Sequence, residues 1–364
     1  IDSSVTAKSG SVLNLSSIAL DGTDLYAYSG ATLSTAVNSW SGRGNSDAAY
    51  RHFTASGSGS LLDLSMIETV RRNYVGTAAL RIIASDGGKV DLSGLTQLKD
   101  YSDARVGGKI SVSATGEDSL VDLSKIKQLK KTDITIEDTA GIDLGSLESF
   151  NDGTIRMAST DTEARDLHVA DTFSLGSGAT IEVAGSTAAV VVGPGTPSGA
   201  ADGSLTVTSG GSLFGTGSIV GDLVNYGLVG PGNSPGTLII DGDYEQLAGS
   251  TLLIEIAGES VFDTLDIGGQ ASILGGTLEI SFLDGYLPKE GDTFEFLLAD
   301  GGVSGSFDSF LCDNCGALDF SFDYGSNYMK LIAGSSTTVP LPGGIWLFGS
   351  ALGLALALRR RLAS

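Results

Sequence analysis

One six-residue pattern recurs through the N-terminal half of the chain. It reads Leu13-Asn14-Leu15-Ser16-Ser17-Ile18, then Leu62-Asp63-Leu64-Ser65-Met66-Ile67 and Val90-Asp91-Leu92-Ser93-Gly94-Leu95. It returns as Val121-Asp122-Leu123-Ser124-Lys125-Ile126 and as Ile142-Asp143-Leu144-Gly145-Ser146-Leu147. Apolar residues two apart, with a polar one between, line one face of a strand. The apolar residue three further on fits a turn that folds back onto the same core. The copies recur about every 20 to 30 residues, the scale of a solenoid repeat. The first gap is longer and holds two units, with Ala31-Thr32-Leu33-Ser34 as a degraded middle copy. A unit this small cannot bury its inner face alone, so it must stack on its neighbours. The pattern predicts an all-β chain with a right-handed parallel β-helix (a β-solenoid) over residues 1–245. Leu15, Leu64, Leu92, Leu123 and Leu144 should form one inward column, and the Asp side chains should lie on a solvated outer face.

The second half continues in short strands punctuated by glycine, among them Ala179-Thr180-Ile181-Glu182-Val183 and Ser204-Leu205-Thr206-Val207. Composition agrees: 52 glycines and 7 prolines accompany 41% hydrophobic residues, too many apolar groups for a disordered chain. Strands lengthen and become more aromatic from residue 246 to 333. Asp292 to Leu297 and Leu318 to Tyr324 alternate apolar with polar. A solenoid's last coil exposes an apolar cross-section, so this stretch is read as terminal coils plus a β-rich cap. Residues 334–338 read as a linker.

The segment Leu228-Val229-Gly230-Pro231-Gly232-Asn233-Ser234-Pro235-Gly236-Thr237-Leu238 runs on into Gly242-Asp243-Tyr244-Glu245-Gln246. With Phe262-Asp263-Thr264-Leu265 and Gly275 to Ile280, it resembles the passenger-associated repeat of autotransporter adhesins. That resemblance implies a β-helical surface protein. The outer-membrane barrel that follows such passengers has no counterpart, and a different tail stands in its place.

That tail occupies residues 339–364. Val339-Pro340-Leu341-Pro342 precedes Ile345 to Leu358, which is 14 residues without a charge, and Arg359-Arg360-Arg361 follows. At about 1.5 Å per residue a helix over 345–358 covers about 21 Å. Flanking residues and snorkelling arginines bring it near a transmembrane span. Positive charge holds the arginines on the cytoplasmic side and everything before Val339 on the other. The layout resembles the PEP-CTERM class of bacterial sorting signals, in its VPLPA-CTERM variant, with Gly343 where alanine is usual. Trp346 to Ser350 also resembles that family's WLFGS stretch. The resemblance implies recognition and cleavage by an exosortase, a membrane-embedded peptidase of exopolysaccharide-producing bacteria. It implies an intermediate tethered to the inner membrane, then a protein at the cell surface, on the outer membrane or outside the cell. Ile1 to Gly10 shows no export signal, so the chain reads as a fragment whose signal lies upstream.

Chemistry is sparse. His52 and His168 lie far apart and read as surface or turn residues. No HExxH, P-loop or EF-hand pattern occurs, and Gly215 to Gly221 reads as solenoid turns. Cys312 and Cys315 are too few for a structural zinc site and lack the helix of a redox motif. A local disulfide is favoured over free thiols. The net charge of −22 repels nucleic acid and anionic headgroups but could hold calcium weakly on an acidic surface. No cofactor is expected. Lys125 to Lys131 is the one basic cluster, a solvated face or a contact for an acidic polysaccharide. The expected role is a surface or extracellular-matrix structural and adhesion protein, meeting exopolysaccharide or host-cell glycans. The rival is a polysaccharide lyase or hydrolase, which would need carboxylates gathered beside an Arg or Lys in a lateral groove.

Overall fold

The computed structural model describes residues 3–16, 20–43, 50–73, 80–100, 110–158, 165–193, 203–232, 235–316 and 318–334. Among them there is no helix, and the strands form parallel sheets arranged as stacked coils. One coil illustrates the path. Ile110–Thr115 lies in a long sheet, Leu120–Asp122 in a second and Gln128–Lys130 in a third, and the chain then re-enters the long sheet at Thr132–Glu137. Each strand pairs in parallel with its counterpart one coil on, as Val112 with Ile134, Val121 with Ile142 and Leu129 with Phe150. The chain is therefore a parallel β-solenoid.

The long sheet has 14 strands and runs without interruption from Ser3–Ala7 to Ser309–Asp313. The other two faces are seamed. In the second position a six-stranded sheet stops at Gly141–Asp143, and an eight-stranded sheet starts at Arg165–Val169. In the third position a three-stranded sheet stops at Gln97–Asp100, and another eight-stranded sheet starts at Gln128–Lys130.

The inward column is present. Leu15 is 7% exposed, and Leu64, Leu92, Leu123 and Leu144 are wholly buried. Thr32–Thr35 supplies the missing rung, because Leu33 pairs with Leu13 on one side and Leu62 on the other. The repeated acids do more than face solvent. Asp63 Oδ1 accepts the Ser65 N–H at 3.1 Å, Asp91 that of Ser93 at 2.9 Å, Asp122 that of Ser124 at 3.0 Å and Asp143 that of Gly145 at 2.9 Å. Each is an Asx turn, a side chain satisfying the backbone two residues on. The next bond closes the corner: Ile67 N–H reaches Leu64 O at 2.9 Å, and Leu95, Ile126 and Leu147 do the same in their units. The hexapeptide thus encodes a strand end, an Asx turn and a β-turn that returns the last apolar residue to the core.

The far end changes pattern. Thr293–Ala299 pairs antiparallel with Tyr328–Ala333, which pairs antiparallel with Phe320–Tyr324. The two aromatic strands depart from the expected apolar-inward alternation in different ways. A bulge between Glu295 and Leu297 turns both Phe296 and Leu297 inward. In Phe320–Tyr324 it is Ser321 that is buried, while Phe320 and Phe322 lean on Phe310, with ring centroids 6.2 and 5.1 Å away. Those rings cover the last strand of the long sheet, so the strand's aromatic face serves the open end of the stack.

Candidate functional site

The long sheet carries the candidate site on its outer surface. Parallel register places Arg156 beside Glu182, Glu182 beside Phe214 and Phe214 beside Gly230. Their inward neighbours Ile155, Ile181, Leu213 and Val229 fill the core, and strand parity sends these four outward. Gly230 has no side chain, which leaves a groove of about 430 Å³ bordered by Arg156, Glu182, Phe214, Leu253, Glu255 and Asp263.

One wall is an ion pair. Arg156 Nε donates to Glu182 Oε2 at 2.6 Å, with both side chains substantially exposed. A pair so placed contributes little to stability, because water screens it. The opposite wall is built on Asp263, whose exposure is 0%. Its Oδ1 accepts the Gly236 N–H at 2.8 Å and its Oδ2 the Glu255 N–H at 2.9 Å. Its own N–H donates to Glu255 O at 2.9 Å. The carboxylate therefore stitches the turn that follows Pro231 to the strand Thr251–Gly258. A β-carbon on Gly232 would stand 2.1 Å from Asp263 Oδ1, and φ there is +94°, so only glycine fits. Burial pushes the Asp263 carboxyl up to about 7, against the two N–H bonds that favour its ionised form.

Glu182 and Glu255, on opposite sides of this groove, do not form a paired catalytic dyad. Glu182 and Glu255 are separated by three strand steps, or about 14 Å of backbone at the usual strand spacing. Paired glycosidase carboxyls stand at most about 9.5 Å apart. Glu182 is also drawn toward Arg156, away from Glu255. What remains is an open trough with an aromatic floor and charged edges.

The remaining sequence-derived positions are scattered. Cys312 and Cys315 are disulfide-bonded, with Cα atoms 5.8 Å apart, and pin the turn after Ser309–Asp313. His168 is exposed and His52 half-buried on the long sheet, more than a hundred residues from each other in sequence. In the basic cluster Ile126 and Leu129 face the core, and Lys127 pairs with Glu148. Among the described residues no group of three or more His, Cys, Asp or Glu is placed to hold a metal ion. Val339 to Pro342, the 345–358 segment and Arg359 to Arg361 lie outside the described residues, among which no helix is long and apolar enough to cross a membrane.

Sequence reasoning did not single out Arg156, Glu182 or Phe214. Their outward parity was legible, since each sits between buried apolar residues. Their adjacency was not, because it depends on coil lengths that vary. No family model matches this chain, and no curated protein matches it significantly.

Proposed function

We propose that the protein is an exported bacterial cell-surface or extracellular-matrix component, structural and adhesive in role, delivered through its C-terminal tail. The observation that carries this reading is the joining of two features. A repetitive, strongly acidic β-solenoid ends in a proline motif, an apolar segment and three arginines. In this reading the solenoid is right-handed, the antiparallel strands after Thr293 cap it, and residues 345–358 form the helix that an exosortase-type peptidase finds in the membrane. Val339 to Pro342 supply an extended recognition segment, since proline blocks helix. Arg359 to Arg361 hold the intermediate until cleavage. The test is the intact mass of the protein recovered from its native bacterium, with and without the peptidase. Loss of the residues after the proline motif only when the peptidase is present supports the reading. A C-terminus still ending in Arg-Leu-Ala-Ser in the normal strain overturns it.

A second reading is favoured by one observation. The lateral groove does gather Glu182, Glu255 and Asp263 near Arg156, the composition a polysaccharide-cleaving solenoid needs. The separation of Glu182 from Glu255 and the backbone duties of Asp263 weigh against it. Turnover of acidic glycans by the purified protein, abolished by Glu255→Gln, would move the assignment to that class.

A further inference from the structure

Near the N-terminal end of the long sheet, side chains from four successive coils form a strip of aromatic rings flanked by cations. Tyr26 and Tyr28 project from Thr23–Tyr28 with ring centroids 5.7 Å apart and planes 19° apart. The His52 ring, from the next coil, continues the row 6.0 Å from Tyr26 at 27°. Cations close both ends. Lys8 Nζ stands 5.9 Å from the centroid of Tyr28, and the Arg81 guanidinium lies 4.0 Å from that of Tyr50, itself 47% exposed. Register ties the pieces together, since Tyr26 pairs with Thr54 and His52 with Arg81.

The strip is held from below. Asp24 Oδ1 accepts the His52 N–H at 2.9 Å, and its Oδ2 lies 3.9 Å from the Arg51 guanidinium, which is 2% exposed. The nearest acid within the row is therefore already engaged. Lys8 and Arg81 are exposed and rest on aromatic faces, where cation–π attraction orients them. In a chain of net charge −22, two cations bracketing a row of half-buried rings are a local reversal of the surface field. At physiological ionic strength the remaining charge is screened beyond about 8 Å, so the local pair governs what the strip attracts.

We infer that this strip is a binding surface for a linear acidic polysaccharide. Sugar rings would lie against Tyr26, Tyr28 and His52, and uronate carboxylates would meet Lys8 and Arg81. Aromatic side chains suit a ligand that is apolar on its ring faces and polar at its edges. Guanidinium and ammonium groups donate charge-assisted bonds to carboxylate. Burial holds the His52 imidazole below its usual pKa, so it presents a neutral ring near pH 7. The inference rests on the proposed matrix role but is tested separately from it.

The experiment titrates the full chain, in mild detergent, with a galacturonic acid oligomer and with a neutral galactose oligomer of equal length. Calorimetry should show binding of the acidic oligomer only. The double variant Lys8→Ser, Arg81→Ser alters exposed side chains alone and should weaken binding by about tenfold or more. Tyr28→Phe should retain it and Tyr28→Ala should lose much of it, with melting temperature checked for each. The triple variant Lys125→Ser, Lys127→Ser, Lys130→Ser in the other basic cluster should bind as the parent does. No binding of the acidic oligomer overturns the inference, as do equal binding of the neutral one and loss confined to the Lys125 cluster. Because the readout is on purified protein, its failure leaves the processing of the tail, read by mass in the native cell, as an independent result.

Discussion

Phe214 lies across Gly230 so closely that a β-carbon on the glycine would meet Phe214 Cδ1 at 2.7 Å and Cε1 at 2.9 Å. The contact spans adjacent coils of the long sheet and sets the floor of the lateral groove. The obstructing atoms belong to a half-buried ring that can turn aside. Gly230→Ala should therefore cost only about 1 kcal/mol, the low end for overpacking. Adding Phe214→Ala should return part of that loss. A double-mutant cycle by denaturant unfolding measures the coupling.

Gly153 makes the opposite case. A β-carbon there would sit 2.0 Å from the Thr132 backbone oxygen, in the ladder itself. No side chain can yield, so Gly153→Ala should cost about 3 kcal/mol or more. A fall in melting temperature much larger than that of Gly230→Ala is the expected result.

The Asx corners predict a graded series. Asp91→Ala removes the acceptor for the Ser93 N–H and should cost about 1 to 2 kcal/mol, whereas Asp91→Asn keeps an acceptor and should cost less. Leu92→Ala, one residue on and wholly buried, should cost about 2 to 5 kcal/mol through the cavity it leaves. Equal effects at Asp91 and Leu92 in chemical denaturation would contradict the division between corner and core.

Asp263 gives a pH dependence with a definite sign. Burial raises its folded-state carboxyl to about 7, above the unfolded value of about 3.9. The folded chain then binds more protons between those limits, so this group's contribution to stability falls as pH rises from about 4 to about 7. Below about 4 both states are protonated and the group is neutral in its effect. The Asp263→Asn variant lacks this titration. Subtracting its unfolding free energy from that of the parent across the pH range should leave a curve that declines through that window. A flat or rising difference would refute the assignment.

The bond between Cys312 and Cys315 closes a very short loop, for which chain entropy allows about 2 kcal/mol at most. Reduction, or Cys312→Ser with Cys315→Ser, should lower stability by no more than that and leave the circular dichroism of the coils unchanged.

Much of the fold was legible because the repeat is local. The hexapeptide contains its own strand end, its Asx acceptor and its returning apolar residue, so Leu15 to Leu144 could be placed in one column from sequence. The degraded unit at Ala31 to Ser34 was legible for the same reason. The exceptions lie where a residue answers to a distant coil. Nothing local marks Glu182 as Arg156's neighbour or Asp263 as the acceptor for Gly236. The aromatic strands near the end defeat a simple reading for two distant reasons. A bulge against an antiparallel partner turns Phe296 and Leu297 both inward, and in Phe320–Tyr324 the rings pack on Phe310 and the end of the long sheet while Ser321 is buried on the other face. The strip of Tyr26, Tyr28 and His52 escaped notice in the same way, since only register sets His52 diagonally beside Tyr26.

The seams on two of the three faces have a mechanical consequence. In the proposed surface role the protein would be loaded in tension, and stacked coils carry such a load in series. Most junctions resist with a hydrogen-bond ladder on each face. Among the described residues, the third face contributes no ladder between the coils holding Gln97–Asp100 and Gln128–Lys130, and the second contributes none between those holding Gly141–Asp143 and Arg165–Val169. Pulled along its axis, the solenoid would yield first at these two junctions. It would part into an N-terminal block carrying the tyrosine strip, a short middle block of the coils from Ile110 to Asn151 and a longer block carrying the lateral groove, with the unbroken long sheet as the last connection between them.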